Sequence, residues 1–356
     1  IIGEETDNFA QGYFVYDSNK SGSVTTSHLR FGSKKIRSPY LIQKADFVAC
    51  HQSVFLQKYD ILAHAKDGGV FLINSPFDKE HLWQQIPKDA QQKILDKNLR
   101  VFSIDAHKVS KNSGMGHHIN TIMQTCFFAI SGILEKADAI EKIKHSIEKT
   151  YGRKSAELVE KNNHAVDNAL DALFELDVHT SIDSHIKMQE LLKGDYDSFV
   201  SNVTRKLIEG HGDDLPVSAL PNDGTWESGT SQFQKRNIGL EVPIWDAQTC
   251  IQCNKCVTVC PHSVIRSKVV DADLLHDTPS FFTHIKAKGK TFSENEEFMI
   301  SVSVEDCTGC SICVEECPAT NKEDPSLKAI NMRAQTKIRE EGAEAWECFE
   351  MLQYYD

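Results

Sequence analysis

The sequence predicts an α/β domain with a mostly parallel sheet, followed by a smaller α+β domain organised around cysteines. Three observations predict it. Short apolar runs alternate with helical periodicity from residue 45 to about residue 175, the pattern of parallel strands joined by right-handed crossovers. Composition then shifts over residues 214–240, where Pro216, Pro221, Asn222-Asp223-Gly224 and Gly229 interrupt a stretch with few aliphatic side chains. Finally, eight of the 11 cysteines fall into two runs of one spacing, C-x2-C-x2-C-x3-C-P: Cys250, Cys253, Cys256, Cys260-Pro261, and Cys307, Cys310, Cys313, Cys317-Pro318.

Taken in order, residues 13–16 form a short aromatic strand. The loop that follows, residues 17–32, is rich in Ser, Thr and Gly and carries Lys20, His28 and Arg30. It offers backbone N–H groups, hydroxyls and cations to a phosphate, but on its residues alone it reads first as a solvated turn. Strands are expected over 45–50, 69–74 and 99–105, with a helix over 53–65 and an amphipathic stretch over 79–97 broken near Pro87. Gly114-Met115-Gly116 is expected to turn between strand and helix. It lacks the third glycine of a dinucleotide fingerprint, so it reads as a tight turn that permits close packing. Helices follow over 117–134, 137–150 and 154–175, and a further one near 198–209 in a polar stretch.

The second domain starts with a strand over 242–245. An insertion over 271–297 separates the cysteine runs and carries Lys286, Lys288 and Lys290, and strands are expected over 298–304 and 327–332. The tail, 334–356, reads as a helix whose Trp346, Phe349, Leu352, Tyr354 and Tyr355 seek a partner outside this chain.

With 356 residues and 40% hydrophobic content the chain can bury two cores. Its net charge of −12, from 39 basic against 51 acidic side chains, disfavours nucleic acid as a partner. No apolar run is long enough to span a bilayer, and no signal peptide is recognised, so a cytoplasmic protein without a membrane partner is expected. Cys50, Cys126 and Cys348, outside the two runs, sit in apolar patterns and read as buried structural thiols. The first residue is Ile1, which suggests an internal piece of a longer protein.

The cysteine spacing is that of bacterial ferredoxins with two 4Fe–4S clusters. Three thiolates two residues apart wrap three corners of one cubane. The fourth, redirected by proline, ligates the neighbouring cluster. One cluster is therefore assigned to Cys250, Cys253, Cys256 and Cys317, the other to Cys307, Cys310, Cys313 and Cys260. A pair of zinc sites or a disulfide set gives no reason for this reciprocal pattern.

Several further stretches resemble pyruvate:ferredoxin (flavodoxin) oxidoreductase, the large thiamine-dependent enzyme. They are Gln11-Gly-Tyr-Phe-Val-Tyr-Asp17, Gly22-Ser-Val-Thr-Thr-Ser-His28-Leu-Arg30-Phe-Gly32, Ile36-Arg37-Ser38-Pro39-Tyr40, Ala45-Asp-Phe-Val-Ala-Cys50-His51, Ile119-Asn120 through Phe128, Lys235-Arg236 and the first cysteine run. The resemblance implies a gamma-type α/β domain (1–213), a connector (214–240), a two-cluster ferredoxin domain (241–333), and a tail (334–356) leading to a thiamine-binding domain absent from this chain. It also implies that thiamine diphosphate and Mg belong to the missing domains, that the whole enzyme is a homodimer, and that ferredoxin or flavodoxin accepts the electrons. Coenzyme A is implied as a substrate, with Gly22, Thr25, Lys34, Lys35 and Arg37 as candidate contacts to its phosphates. One departure is His117-His118, where the resemblance leads one to expect arginine in the second place. The rival reading is an iron–sulfur electron-transfer subunit of another dehydrogenase or a hydrogenase, with the α/β domain as a docking scaffold.

Overall fold

The computed structural model describes residues 1–16, 24–116, 118–153 and 155–353. Of the positions named above, Asp17, Lys20, Gly22, His117, Tyr354 and Tyr355 lie outside the described residues. The described chain divides into two compact units, one holding residues 1–16, 25–190 and 206–215, the other holding 191–205 and 216–356.

The first unit opens with an antiparallel hairpin of β1 (Phe9–Val15) and β2 (Thr26–Gly32). Its main sheet has the order β3 (Ala45–Cys50), β4 (Ala65–Asn74), β5 (Arg100–Ile104), β6 (Phe174–Glu175). The first three strands are parallel and β6 runs antiparallel to β5. Helices cover both faces, which is why the central strands are apolar on both sides. Phe71, Ile73 and Val101 pack with Trp83, Ile86 and Ile94 on one face. Leu72, Phe102 and Ile104 pack with Ile122, Met123 and Cys126 on the other.

Several expectations are corrected here. Residues 53–65 form two 3-10 turns, Ser53–Gln57 and Ile61–His64, instead of one helix. Leu56 and Leu62 both turn inward, and Asp60 leaves helical geometry and pairs with Lys93 on the helix Lys88–Asp96. Tertiary packing overrides helix propensity at this point. The helix expected over 154–175 stops at Ala172, because Glu175 is drawn into β6 by a two-point ion pair with Arg100, at 2.8 and 3.1 Å. The Gly114–Gly116 turn joins two helices, Ala106–Asn112 and Asn120–Ser131, so it does not follow a strand directly. Both glycines adopt left-handed backbone, with φ of +71° and +65°. Ser110 Oγ, 3.0 Å from the carbonyls of both Gly116 and His118, fastens the turn.

The second unit contains two small sheets. β7 (Glu241–Trp245) pairs antiparallel with β11 (Ile330–Ala334). β8 (Ile265–Asp271), β10 (Glu296–Val302) and β9 (Ile285–Lys286) form the other, in the order β8-β10-β9. The helix Arg339–Met351 closes this unit, and part of the apolar face expected to seek a partner outside this chain meets one within it. Phe349 is fully buried in the core of the cysteine-bearing unit, with Ala345 beside it. Lys268 Nζ, reaching from β8, donates to the carbonyls of Phe349 and Leu352, each at 2.6 Å, and so caps the end of the helix. The stretch from residue 216 onward is fastened to this same unit: Asn237 N donates to Glu305 O at 2.8 Å, and Lys235 pairs with Asp306 at 2.6 Å.

Candidate metal centre

The two cysteine runs fold as near-copies. In each, the third and fifth residues take left-handed backbone: Gln252 (φ +62°) and Asn254 (+56°) in the first, Gly309 (+72°) and Ser311 (+65°) in the second. This is what bends a seven-residue segment around a compact object. Three of the four residues are not glycine, so the bend carries a conformational cost that the surroundings must offset. Each loop turns an amide inward onto its first thiol: Gln252 N to Cys250 Sγ at 3.3 Å, and Gly309 N to Cys307 Sγ at 3.4 Å. Each run then enters a short helix, Lys255–Val259 or Ile312–Glu315, that delivers its fourth cysteine.

The fourth cysteines cross over. A cavity with an empty volume of about 330 Å³ is lined by Cys307, Cys310 and Cys313 of the second run and by Cys260 of the first. Reciprocally, Cys256 feels the charges of Cys250, Cys317 and Cys253.

Electrostatics set a condition on the site. Burial, reinforced by the neighbouring thiols, pushes Cys256 and Cys307 up to about 11 and Cys313 up to about 12. Such thiols stay protonated at neutral pH unless a cation takes the proton's place, so the donor set suits iron that binds with proton release. Among the described residues no three Cys, His, Asp or Glu side chains converge tightly enough to hold one metal ion. Thiolates around a four-iron cubane are spread wider than ligands around a single zinc, so the set fits a cluster better.

The insertion between the runs folds back on the first loop. Gln252 Oε1 accepts from Lys288 N at 2.7 Å, and its Nε2 donates to Lys286 O at 2.7 Å. Lys288 Nζ donates to Cys250 O at 2.9 Å, and Lys286 Nζ pairs with Glu297 at 3.6 Å. These two lysines therefore fasten the first loop. Only the cluster of three lysines in the insertion was visible in the sequence; the fold-back was not. Lys328 Nζ does the matching work on the second loop, donating to Val314 O and Glu315 O at 2.7 and 2.9 Å.

The candidate coenzyme A residues are less gathered. Thr25 precedes β2, and Lys34, Lys35 and Arg37 lie on the loop after it, all exposed. Among the described residues none of the four forms a hydrogen bond or ion pair. Two other cations of this region are committed to holding that loop. Arg30 donates to Tyr40 O at 2.6 Å and lies over its ring, and His28 Nδ1 accepts from Ile42 N at 3.1 Å. Cys50 and Cys126 are buried, with burial pushing both thiols up to about 12, as expected of structural thiols. Cys348 is only partly buried. Among the described residues no helix is long and apolar enough to cross a membrane.

Comparison with known proteins fits this geometry. Residues 4–172 match the family described as pyruvate ferredoxin/flavodoxin oxidoreductase, residues 186–239 a domain of unknown function, and residues 249–346 a 4Fe-4S double cluster binding domain. A putative pyruvate-flavodoxin oxidoreductase of Synechocystis is 52% identical over 98% of this chain and 29% of its own length. The probable pyruvate-flavodoxin oxidoreductase of Escherichia coli and the pyruvate:ferredoxin oxidoreductase of Moorella thermoacetica are each 41% identical over 96% of this chain and 29% of theirs. The chain thus spans about 29% of the length of these curated relatives. With the α/β unit and the double-cluster unit both matched in order, the chain belongs to the pyruvate:ferredoxin (flavodoxin) oxidoreductase family.

Proposed function

We propose that this chain is the segment of a pyruvate:ferredoxin/flavodoxin oxidoreductase that relays electrons through two 4Fe–4S clusters to ferredoxin or flavodoxin. Its α/β unit would help hold coenzyme A. The observation that carries the electron relay is the cavity where Cys260 joins Cys307, Cys310 and Cys313. When bound, each cluster supplies a one-electron carrier of low potential, since all its ligands are thiolates. The chain's own residues do the rest. The eight cysteines hold the irons, the left-handed loops shape the cavities, and the amides of Gln252 and Gly309 face the thiols. Cys253 and Ile251 leave the first loop open to solvent, beside the exposed Lys286, Lys288 and Lys290. An acidic carrier would meet positive charge there even though Lys286 and Lys288 also make internal bonds.

Decarboxylating a 2-oxo acid needs an electron sink that side chains do not provide. On this reading that step, with thiamine diphosphate and Mg, belongs to other domains of a homodimeric enzyme, which residues 334–356 lead into. The chain purified without oxygen should hold about eight irons and eight sulfides. It should take electrons from dithionite, reduce flavodoxin, and release no carbon dioxide from pyruvate with thiamine diphosphate, Mg and coenzyme A present. Stoichiometric zinc without iron–sulfide absorbance would sink the relay. Pyruvate turnover by the pure chain would show that the division of labour is misplaced.

A further inference from the structure

The two loops are near-copies in backbone, so differences between equivalent positions stand out. The residue after the first cysteine is Ile251 in one run and Thr308 in the other. The second residue after the fourth cysteine is His262 in the first run and Ala319 in the second. Because the fourth cysteines cross over, His262 travels with Cys260 to the cavity of Cys307, Cys310 and Cys313. Both polar residues thus line one cavity, while the other four-cysteine set has Ile251 and Ala319 in the equivalent positions.

Thr308 Oγ1 and His262 Nε2 are shut off from solvent and have no hydrogen-bond partner among the described residues. A buried hydroxyl or imidazole nitrogen without a partner is costly and is rarely retained without one. Sulfur on a cubane is an acceptor that would supply it. Trp245 Nε1, the other buried orphan nitrogen in this unit, packs on Phe298 and does not line the cavity.

We propose that Thr308 and His262 donate hydrogen bonds to the sulfurs of the cluster held by Cys307, Cys310, Cys313 and Cys260, and so give it the higher reduction potential of the pair. This rests on the two-cluster reading above. Reduction adds negative charge that the sulfurs share, so donors aimed at them favour the reduced state. The lysines beside the first loop are exposed and screened by solvent, and the close contacts within the two loops are nearly matched. Each loop has one inward amide on its first thiol, one lysine on its carbonyls (Lys288 or Lys328) and one exposed cysteine (Cys253 or Cys310). The electron would therefore rest on the second-loop side, and passage from the first set to the second would run downhill.

The test is a potentiometric titration of the whole chain carrying both clusters, followed by electron paramagnetic resonance. The unsubstituted chain should show two separated one-electron steps. Thr308→Val should lower the higher one, cutting the reduced-to-oxidised ratio at fixed solution potential about tenfold, which is 59 mV for one electron. Thr308→Ser should restore it, and Ile251→Thr should raise the lower step. A Thr308→Val chain with both clusters and unmoved steps, or with only the lower step moved, overturns the proposal. Should Thr308→Val fail to load, deuteron couplings at the higher-potential cluster of the unsubstituted chain in heavy water decide. An additional exchangeable deuteron there, beyond the amide couplings that both loops supply, supports the proposal, and equal couplings at both overturn it. A chain with no iron–sulfur signal at all would instead overturn the two-cluster reading on which the proposal rests.

Discussion

The cysteine loops of the second unit and the loop after β2 in the first unit present two ways of making a site. Around the clusters, side chains far apart in sequence are forced together: Cys260 reaches a cavity otherwise built by residues 307–313. After β2, Lys34, Lys35 and Arg37 are neighbours in sequence but fan into solvent, while Arg30 and His28 tie the loop down. Covalent ligation demands convergence, because a thiolate must reach its iron. A surface cation meets a phosphate by long-range attraction and needs no prior contact, so its role leaves little trace in the fold.

That contrast can be broken or sharpened, beginning with the largest effect. Cys260→Ala should remove the cluster of Cys307, Cys310 and Cys313, about half the iron, and leave the neighbour largely intact. Iron analysis with spectroscopy checks this, and loss of the cluster of Cys250, Cys253 and Cys256 instead would show that each run serves its own cluster. Gly309→Ala comes next. Gly309 sits at φ +72°, and an added Cβ would lie 2.8 Å from Glu241 O. It should cost roughly 1–3 kcal/mol, read as a lowered thermal midpoint. At the matching position of the first loop, Gln252 already occupies left-handed backbone, so Gln252→Ala should cost less and act through the lost bonds to residues 286 and 288. Equal losses would deny the difference between the loops.

Lys268→Met would keep the apolar stem and remove the cap on Phe349 and Leu352. We expect a loss of about 1–3 kcal/mol, seen as earlier exchange of amides in the helix Arg339–Met351. Unchanged protection there would mean that the packing of Phe349 alone holds the helix. The smallest effect is on the α/β side. Neutralising Lys34 and Lys35 together should weaken coenzyme A binding roughly three- to tenfold, and the loss should fade with added salt because both residues are exposed. Unchanged affinity by calorimetry would move the phosphate contacts elsewhere.

The spacing of eight cysteines and two prolines, without a structure, led to two crossed ligand sets as an expectation, because cluster chemistry ties function to residue spacing. The apolar runs at 45–50, 69–74 and 99–105 likewise announced three parallel strands, since a strand buried on both faces has little choice of side chain. What tertiary structure alone decided depends on partners distant in sequence. Residues 53–65 yielded a helix to the inward pull of Leu56 and Leu62 and the Asp60–Lys93 pair, and Glu175 left its helix for Arg100. The closing helix found a partner in β8 and the cluster core, through Phe349 and Lys268, where its apolar face in the sequence pointed to one outside this chain. The asymmetry between the two loops was decided in the same way. Thr308 and His262 lie far apart in the chain, and only the crossing of Cys260 brings them to one wall of one cavity.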